Sequence, residues 1–148
     1  MKKVRIRTIV FGCLFLVCTF LIVFSATRSQ KTHIDEGGFI SNLINIIFFG
    51  ERLSKPELEN IVNSFLAKFL GHFSLFALDS LFFILFLRSL NVSKIKIIIS
   101  GTILGLCLAS LGEILEIFAS ERVSSLNDVI LNYAGFLLPS FLIFMNKK

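Results

Sequence analysis

Four long apolar stretches constrain this chain more than any other feature of its sequence. They cover about residues 8–27, 68–87, 96–118 and 129–146, and they hold few charged side chains. Each approaches the roughly 20 residues that an α-helix needs to cross about 30 Å of hydrocarbon. A backbone in lipid must satisfy its own hydrogen bonds, so these stretches are predicted to be helices. The expected fold class is all-α: an integral membrane bundle of four transmembrane helices, forming a single domain over residues 1–148.

The composition agrees with a membrane protein. Of the 148 residues 55% are hydrophobic, which leaves too few polar residues to cover a soluble globule. The basic N-terminus before the first stretch resembles a signal peptide, but the stretch is longer than a signal core, so we expect it to be retained as a helix. Cys13, Cys18 and Cys107 fall inside predicted spans and form no ligand pattern, so we predict no metal site and no cofactor.

Charge placement predicts the orientation of the helices. The N-terminus, residues 88–96 and the C-terminal lysines hold nine basic residues and no acid, whereas all ten acids lie elsewhere. By the positive-inside rule, the N- and C-termini are predicted to be cytoplasmic, and the connections 28–67 and 119–128 to be external. The net charge of +5 therefore reflects topology, and we expect no nucleic-acid partner.

The long external segment 28–67 has two patterns of its own. Residues 37–50 are uncharged, and Ser41, Asn42 and Asn45 fall on one side of an otherwise apolar helix. This pattern predicts an external interfacial helix that lies in the outer membrane interface or re-enters the membrane part-way. Downstream, Ser54-Lys-Pro-Glu57 combines an N-cap residue, an early proline and a capping glutamate, which predicts that a second helix starts there.

Ionisable residues follow one face of the second span. Lys68, His72 and Asp79 are separated by four and seven residues, so on an α-helix they lie within about 40° of one another. Charge inside hydrocarbon is costly, which makes such residues functional candidates. Lys68 snorkelling to the interface and His72 packing in the bundle remain alternatives. An unpaired Asp79 carboxylate would be protonated, or it would face a partner in the bundle.

Two carboxylates lie near the outer end of the third span. Glu113 and Glu116 are one turn apart, so they share a helix face. Close carboxylates suit proton exchange, a shared cation or a shared basic partner, and Lys68 and Arg122 are the nearest candidate bases. A purely structural ion-pair cluster that holds helix ends together is the alternative interpretation.

The start of the fourth span carries a third polar set. Asp128, Asn132 and Gly135 repeat at spacings of four and three, on one helix face. Asp128 or Ser125 is predicted to cap the helix start, where a negative charge also suits the helix dipole. Asn132 indicates a helix-to-helix hydrogen bond, and Gly135 indicates close helix approach.

The predicted topology brings these three sets to the same end of the bundle. The second and fourth spans begin at the outer side, and the third span ends there. We therefore expect one polar site at the outer leaflet boundary. The candidate ligand-binding residues are Lys68, His72, Glu113, Glu116, Arg122, Asp128 and Asn132.

Together these motifs resemble those of the VanZ-like family of bacterial membrane proteins. The shared positions are Phe24-Ser25, Lys68, His72, Glu113, Arg122, Asp128, Asn132 and Gly135, and they extend over nearly the whole chain. The chain departs from the family at Glu116, where the family generally has Gln. The resemblance implies a multi-pass protein of the bacterial cell membrane, linked with tolerance of glycopeptide and related envelope-acting antibiotics. It does not imply a mechanism, because the family's biochemical activity is not settled.

The leading functional hypothesis is a binding protein of the cell envelope. Its ligand would be a membrane lipid, a lipid-linked envelope precursor or another amphiphile in the outer leaflet. Arg122 and Lys68 would meet an anionic headgroup, since arginine contacts phosphate in a bidentate manner and lysine acts as a point charge. Glu113 and Asn132 would shape the polar end of the pocket.

Three alternatives stay open. The first is an intramembrane enzyme acting on an envelope lipid or cell-wall precursor, with His72 and Glu113 as candidate catalytic residues. The second is a small proton-coupled transporter that uses Asp79 and His72 as a proton path. Four helices are few for alternating access, which makes a homo-oligomer a further expectation for this alternative. The third is a structural subunit, whose ion pairs only position helices.

Overall fold

The computed structural model of the protein describes residues 6–29, 38–39, 41–43, 45–47, 50, 52, 54–62, 69–120 and 122–145. Within helices, the side chains of residues 58, 59, 62, 70 and 144 fall outside this description. The regular structure of the described residues is entirely helical, without a strand. The predicted all-α fold class is therefore confirmed.

Five α-helices and one π-helical turn have both bounds within the described residues. They are α1 (Ile6–Ala26), α2 (Lys55–Val62), the π-helical turn (Phe69–Phe73), α3 (Ser74–Ser89), α4 (Lys94–Phe118) and α5 (Leu126–Met145). Four helical segments are long and apolar enough to cross a membrane: α1, residues 71–89, α4 and α5. This confirms the four predicted spans, with boundaries that differ by at most three residues. One difference is local, since the second span begins with a π-helical turn rather than with α-helix.

A tight turn joins α3 to α4. Asn91 has a φ of 59°, in the left-handed region that asparagine tolerates better than most residues, and its N–H donates to the Arg88 carbonyl at 3.0 Å. Ser93 is the N-cap of α4, and its carbonyl accepts the Ile97 N–H at 3.1 Å. Because the connection is so short, α3 and α4 run in opposite directions.

The helix α2 starts as its sequence pattern predicts. Glu57 Oε2 accepts two hydrogen bonds from Ser54, one from the backbone N–H at 2.8 Å and one from the hydroxyl at 2.6 Å. The reach of the glutamate back to the residue before the helix is the second half of a capping box. These hydrogen bonds hold the pKa of the exposed Glu57 carboxyl below its usual range.

The predicted interfacial helix falls in a partly described segment. Residues 38–39, 41–43 and 45–47 have helical geometry, and the Gly50 N–H donates to the Ile46 carbonyl at 3.0 Å. Other positions of residues 37–50 lie outside the described residues. An external helix at the membrane interface therefore stays a prediction.

Aromatic side chains fill the centre of the bundle. The helix α3 packs against α1 and α5, and α4 packs against α5. The Phe83 ring lies 5.2 Å from Phe15 of α1 and 6.4 Å from Phe136 of α5, measured between ring centroids. Phe136 is fully buried and lies over Gly105 of α4, where an added Cβ would be 2.5 Å from the Phe136 Cδ1 atom. Glycine at position 105 thus makes room for the central ring.

The closest backbone approach joins α5 to the π-helical turn. A Cβ atom at Gly135 would collide with the backbone carbonyl of Phe73. Pro139, one turn further along α5, has no N–H to donate to the Gly135 carbonyl. The prediction that Gly135 permits close helix approach is therefore confirmed, and its partner is main chain rather than a side chain.

The two ends of the bundle differ in charge. The end of α1, the start of α3, the end of α4 and the start of α5 meet at one end, which we call the cavity end. The exposed basic residues Arg7, Arg88, Lys94 and Lys96 lie at the opposite end. Between the ends, large apolar side chains such as Phe20 and Ile103 are exposed, as a hydrocarbon-facing surface requires. The cytoplasmic location of the basic end stays a prediction from the charge rule.

Candidate functional site

A cavity of about 130 Å³ opens at the cavity end of the bundle. Its walls are mostly apolar and come from Ile22 and Ala26 of α1 and from Leu75 and Phe76 of α3. Its polar lining consists of Ser25, His72, Glu113, Glu116 and Asn132. Because four helical segments contribute, the cavity exists only when the bundle is assembled.

Glu113 connects the end of α4 to the start of α5. Its side chain is buried, and its Oε2 atom accepts the backbone N–H of Ser125 at 2.8 Å. The Ser125 hydroxyl in turn accepts the Asn127 N–H at 3.2 Å, and its carbonyl accepts the Asp128 N–H at 3.0 Å. Ser125 is therefore the N-cap of α5. This capping residue fixes Glu113 against the fourth span.

Glu116 forms an ion pair with Arg122. The contact joins Glu116 Oε1 to Arg122 Nη2, and the two side chains are only 6% and 5% exposed. Burial lowers the pKa of the Arg122 guanidinium, while the nearby Glu113 and Asp128 carboxylates act in the opposite direction. Glu116 lines the cavity, whereas Arg122 lies behind it. The arginine thus supports the wall rather than forming its surface.

Asn132 brings a hydrogen-bond acceptor to the cavity. The residue is 2% exposed and contributes to the lining. Its Oδ1 atom receives no hydrogen bond from any of the residues that the structure describes. A buried acceptor without a donor costs about 1–3 kcal/mol, so this oxygen favours whatever donor enters the cavity. The predicted helix-to-helix hydrogen bond of Asn132 is not formed at this oxygen.

Asp79 does not line the cavity and follows the lining residue Phe76 by three residues on α3. It is fully buried, and its Oδ1 atom accepts the Thr19 hydroxyl of α1 at 3.0 Å. Ile22 lies three residues after Thr19, and Phe76 lies three residues before Asp79. Both line the cavity, so they separate the Thr19–Asp79 pair from it. The prediction of a partner inside the bundle is confirmed. His72 lies in the π-helical turn and lines the cavity, whereas Asp79 does not, and the common helix face of the two residues stays a prediction.

The predicted site residues divide into three groups. Four line the cavity: His72, Glu113, Glu116 and Asn132. Arg122 and Asp128 stand behind this lining, with Asp128 buried in the first turn of α5. Lys68 lies outside the described residues. The polar sets of the second, third and fourth spans therefore converge as the topology argument predicted.

Two glycines complete the cavity, and sequence reasoning missed both. Gly71 and Gly112 line it, and a Cβ atom added at either position would meet nothing within 4 Å. Each immediately precedes a polar residue of the site, His72 or Glu113. A glycine beside an ionisable residue in a transmembrane segment is the sequence signal that could have located this open space.

Metal binding has no geometric support in the described parts of the chain. No three side chains of His, Cys, Asp or Glu there lie close enough together to hold a metal ion. The polar lining instead presents carboxylates, an amide and an imidazole to the cavity.

Comparison with protein-family models, curated proteins and solved structures gives no match for this chain.

Proposed function

We propose that this multi-pass membrane protein binds an amphiphile in the cavity between its helix ends. The observation that carries the proposal is the mixed lining of the cavity. Apolar side chains of α1 and α3 form most of the walls, while Glu113, Glu116 and Asn132, with Ser25 and His72, form its polar side. Ligand pockets commonly combine an apolar lining with a few oriented polar groups. The alkyl part of the ligand lies against the apolar walls, and its head meets the polar side.

Arg122 has a supporting role in this proposal. An anionic head held by Arg122 and Lys68 was the expectation from sequence. Arg122 pairs with Glu116 and lies outside the lining, so we assign to it the positioning of that carboxylate. Lys68 lies outside the described residues and carries no part of the proposal.

The cellular setting follows from the sequence expectations. With the basic bundle end in the cytoplasm, the cavity lies at the outer leaflet of a bacterial cell membrane, in reach of lipids and lipid-linked envelope precursors. In line with the VanZ-like resemblance, we propose that binding there contributes to tolerance of glycopeptide or related antibiotics.

Photolabelling tests the proposal directly. The full-length protein in phosphatidylcholine nanodiscs is irradiated with a hexan-1-ol that carries a diazirine, and the labelled peptides are identified by mass spectrometry. Labelling is expected on the cavity walls at Ile22, Leu75 and Phe76, beyond the background on lipid-facing side chains. Labelling confined to the lipid-facing surface would contradict the proposal.

A cavity-filling variant provides the matched comparison. Gly112→Leu places a side chain in the open space beside Glu113 and should remove wall labelling. Cys107→Leu adds bulk to the exposed face of the same helix and should leave wall labelling intact. Thermal stability of both variants shows whether the bundle is still assembled.

Antibiotic tolerance tests the cellular part of the proposal. Cells that carry wild type, Gly112→Leu or Cys107→Leu are compared for growth in a glycopeptide, with membrane abundance measured in parallel. Only Gly112→Leu is expected to lose tolerance at normal abundance. Equal tolerance in all three strains would show that the cavity does not contribute to antibiotic tolerance.

One observation favours the enzymatic alternative: His72 and Glu113 line the same cavity. A base and a carboxylate beside a bound lipid head are the usual participants in general acid–base catalysis. Turnover of a lipid or cell-wall precursor that stops in His72→Ala, while photolabelling persists, would establish the enzyme. Intact lipid after prolonged incubation with the wild-type protein would leave binding as the function.

A further inference from the structure

Three of the five polar residues that line the cavity offer acceptors, while Ser25 and His72 can each donate or accept. Glu113 and Glu116 contribute carboxylates, and Asn132 contributes a buried carbonyl oxygen with no donor among the described residues. A carboxylate accepts hydrogen bonds through both oxygens and donates none when ionised. A ligand head that meets these three groups must therefore bring donors.

The surrounding charge has the same preference. Three buried carboxylates, Glu113, Glu116 and Asp128, lie around the guanidinium of Arg122. Arg122 pairs with Glu116 through Nη2, has a buried Nη1 atom without a partner among the described residues, and does not line the cavity. An anionic head would meet like charge in a poorly hydrated pocket, where such repulsion is weakly screened. A cationic head would instead meet lining carboxylates of opposite charge.

From this arrangement we infer that the cavity selects amphiphiles whose head is a protonated primary amine. An ammonium group carries three donors, no acceptor and one positive charge, which matches the two carboxylates and the Asn132 oxygen. The inference rests on the proposed function and names its ligand class. It also reverses the expectation from sequence, which assigned an anionic head to this site.

Competition against the diazirine-bearing hexanol tests the inference. Hexylammonium, hexan-1-ol and hexanoate share one chain length and differ in head charge. They are titrated at pH 7 against wall labelling, in zwitterionic nanodiscs that attract neither ion. Because hydrogen bonds to charged groups contribute more than neutral ones, hexylammonium should compete at about tenfold lower concentration than hexan-1-ol. Hexanoate should be the weakest of the three.

Two variants of the lining assign the preference to its source. Glu113→Gln keeps the shape of the side chain but removes its charge, and should reduce the advantage of hexylammonium over hexan-1-ol to about threefold or less. Asn132→Leu removes the unpaired acceptor and should reduce the same advantage. Glu57→Gln, which neutralises an exposed carboxylate of α2, is the matched control and should retain the wild-type ratio.

The outcomes separate the two proposals. If wall labelling occurs but the three competitors act at similar concentrations, or hexanoate acts first, the selection of amines is wrong and amphiphile binding stands. If the wall is not labelled at all, both proposals fail. An amine preference that survives in both Glu113→Gln and Asn132→Leu would also overturn the inference, because its source would lie elsewhere.

A change of lipid distinguishes two sources of the amine. Phosphatidylethanolamine carries a primary ammonium, whereas phosphatidylcholine carries a fully methylated one without donors. If discs with phosphatidylethanolamine lose wall labelling, the amine belongs to a membrane lipid. If labelling persists while hexylammonium still competes, the amine belongs to a separate amphiphile.

Discussion

Two regions of this bundle bury carboxylates, and they bury them differently. Asp79 is fully buried between α1 and α3, where Thr19 donates to one of its oxygens. Glu113 and Glu116 are also buried, but each pairs with the connection between α4 and α5 and each lines a cavity. The Asp79 carboxylate is enclosed by helices. Glu113 and Glu116 are each bonded to the connection between α4 and α5, and each also lines the cavity.

This contrast shows that depth alone does not identify a binding site. A polar group enclosed by neighbouring helices joins them, as interhelical hydrogen bonds do in membranes. A carboxylate positioned by a second set of contacts, with space in front of it, is available to a ligand. We therefore expect changes near Asp79 to alter stability, and changes at Glu113 to alter binding.

The largest expected effect comes from removing the partner of Glu116. Arg122→Ala leaves a buried carboxylate without its counter-charge, which costs about 3–5 kcal/mol in buried pairs. Arg122→Ala with Glu116→Gln removes both charges and should recover most of that loss. Reversible unfolding of the purified protein in mixed micelles measures the three free energies.

If the double variant is as unstable as Arg122→Ala, the arginine stabilises the bundle by packing rather than by charge. Packing of the Arg122 side chain, rather than its ion pair with Glu116, would then stabilise the wall of the cavity. That result would weaken the distinction between the cavity carboxylates, which are bonded to the connection between α4 and α5, and Asp79, which is enclosed by helices.

The next effect concerns the backbone contact that closes the cavity end. Gly135→Ala forces α5 away from the Phe73 carbonyl, because a main-chain atom cannot move aside as a side chain can. Overpacking of this kind costs about 1–3 kcal/mol. Gly112→Ala is the matched control, since its Cβ meets only open space and the helix gains from replacing glycine. Equal unfolding free energies for the two variants would contradict the tight contact.

The four spans were predictable because stretches of about twenty mostly apolar residues leave few alternatives. The convergence of His72, Glu113 and Asn132 was predictable too, since antiparallel helices bring alternate ends together. The role of Arg122 was not, because the choice between a ligand and Glu116 depends on the path of the connection between α4 and α5. Likewise, the α-helical spacing of about 100° per residue could not predict the π-helical turn that contains His72.

A smaller effect tests the enclosed region by itself. Thr19→Val removes the hydroxyl that donates to Asp79, and should lower the unfolding free energy by about 1–2 kcal/mol. Wall labelling by the diazirine probe should change less than twofold, because Ile22 and Phe76 separate this pair from the cavity. Loss of labelling at unchanged stability would mean that the two regions form one site.

The smallest effect involves a carboxylate that neither region contains. Glu57 is exposed, and its pKa is held below the usual range by the Ser54 hydroxyl and N–H. A carboxyl with a depressed pKa stabilises the folded state above its unfolded pKa, and that contribution is lost as pH falls through the folded value. Ser54→Ala removes the hydroxyl donor, so the pKa of Glu57 should rise towards its ordinary value in an NMR titration.

Ser100→Ala is the matched control for this titration, because the Ser100 hydroxyl donates to carbonyls of its own helix. It should leave the pKa of Glu57 unchanged. If Ser54→Ala also leaves it unchanged, the backbone N–H alone holds the carboxylate. The hydrogen bond between the Ser54 hydroxyl and Glu57 could then not serve as an exposed reference for the buried carboxylates. The comparison of the two regions would rest on Glu113 and Asp79 alone.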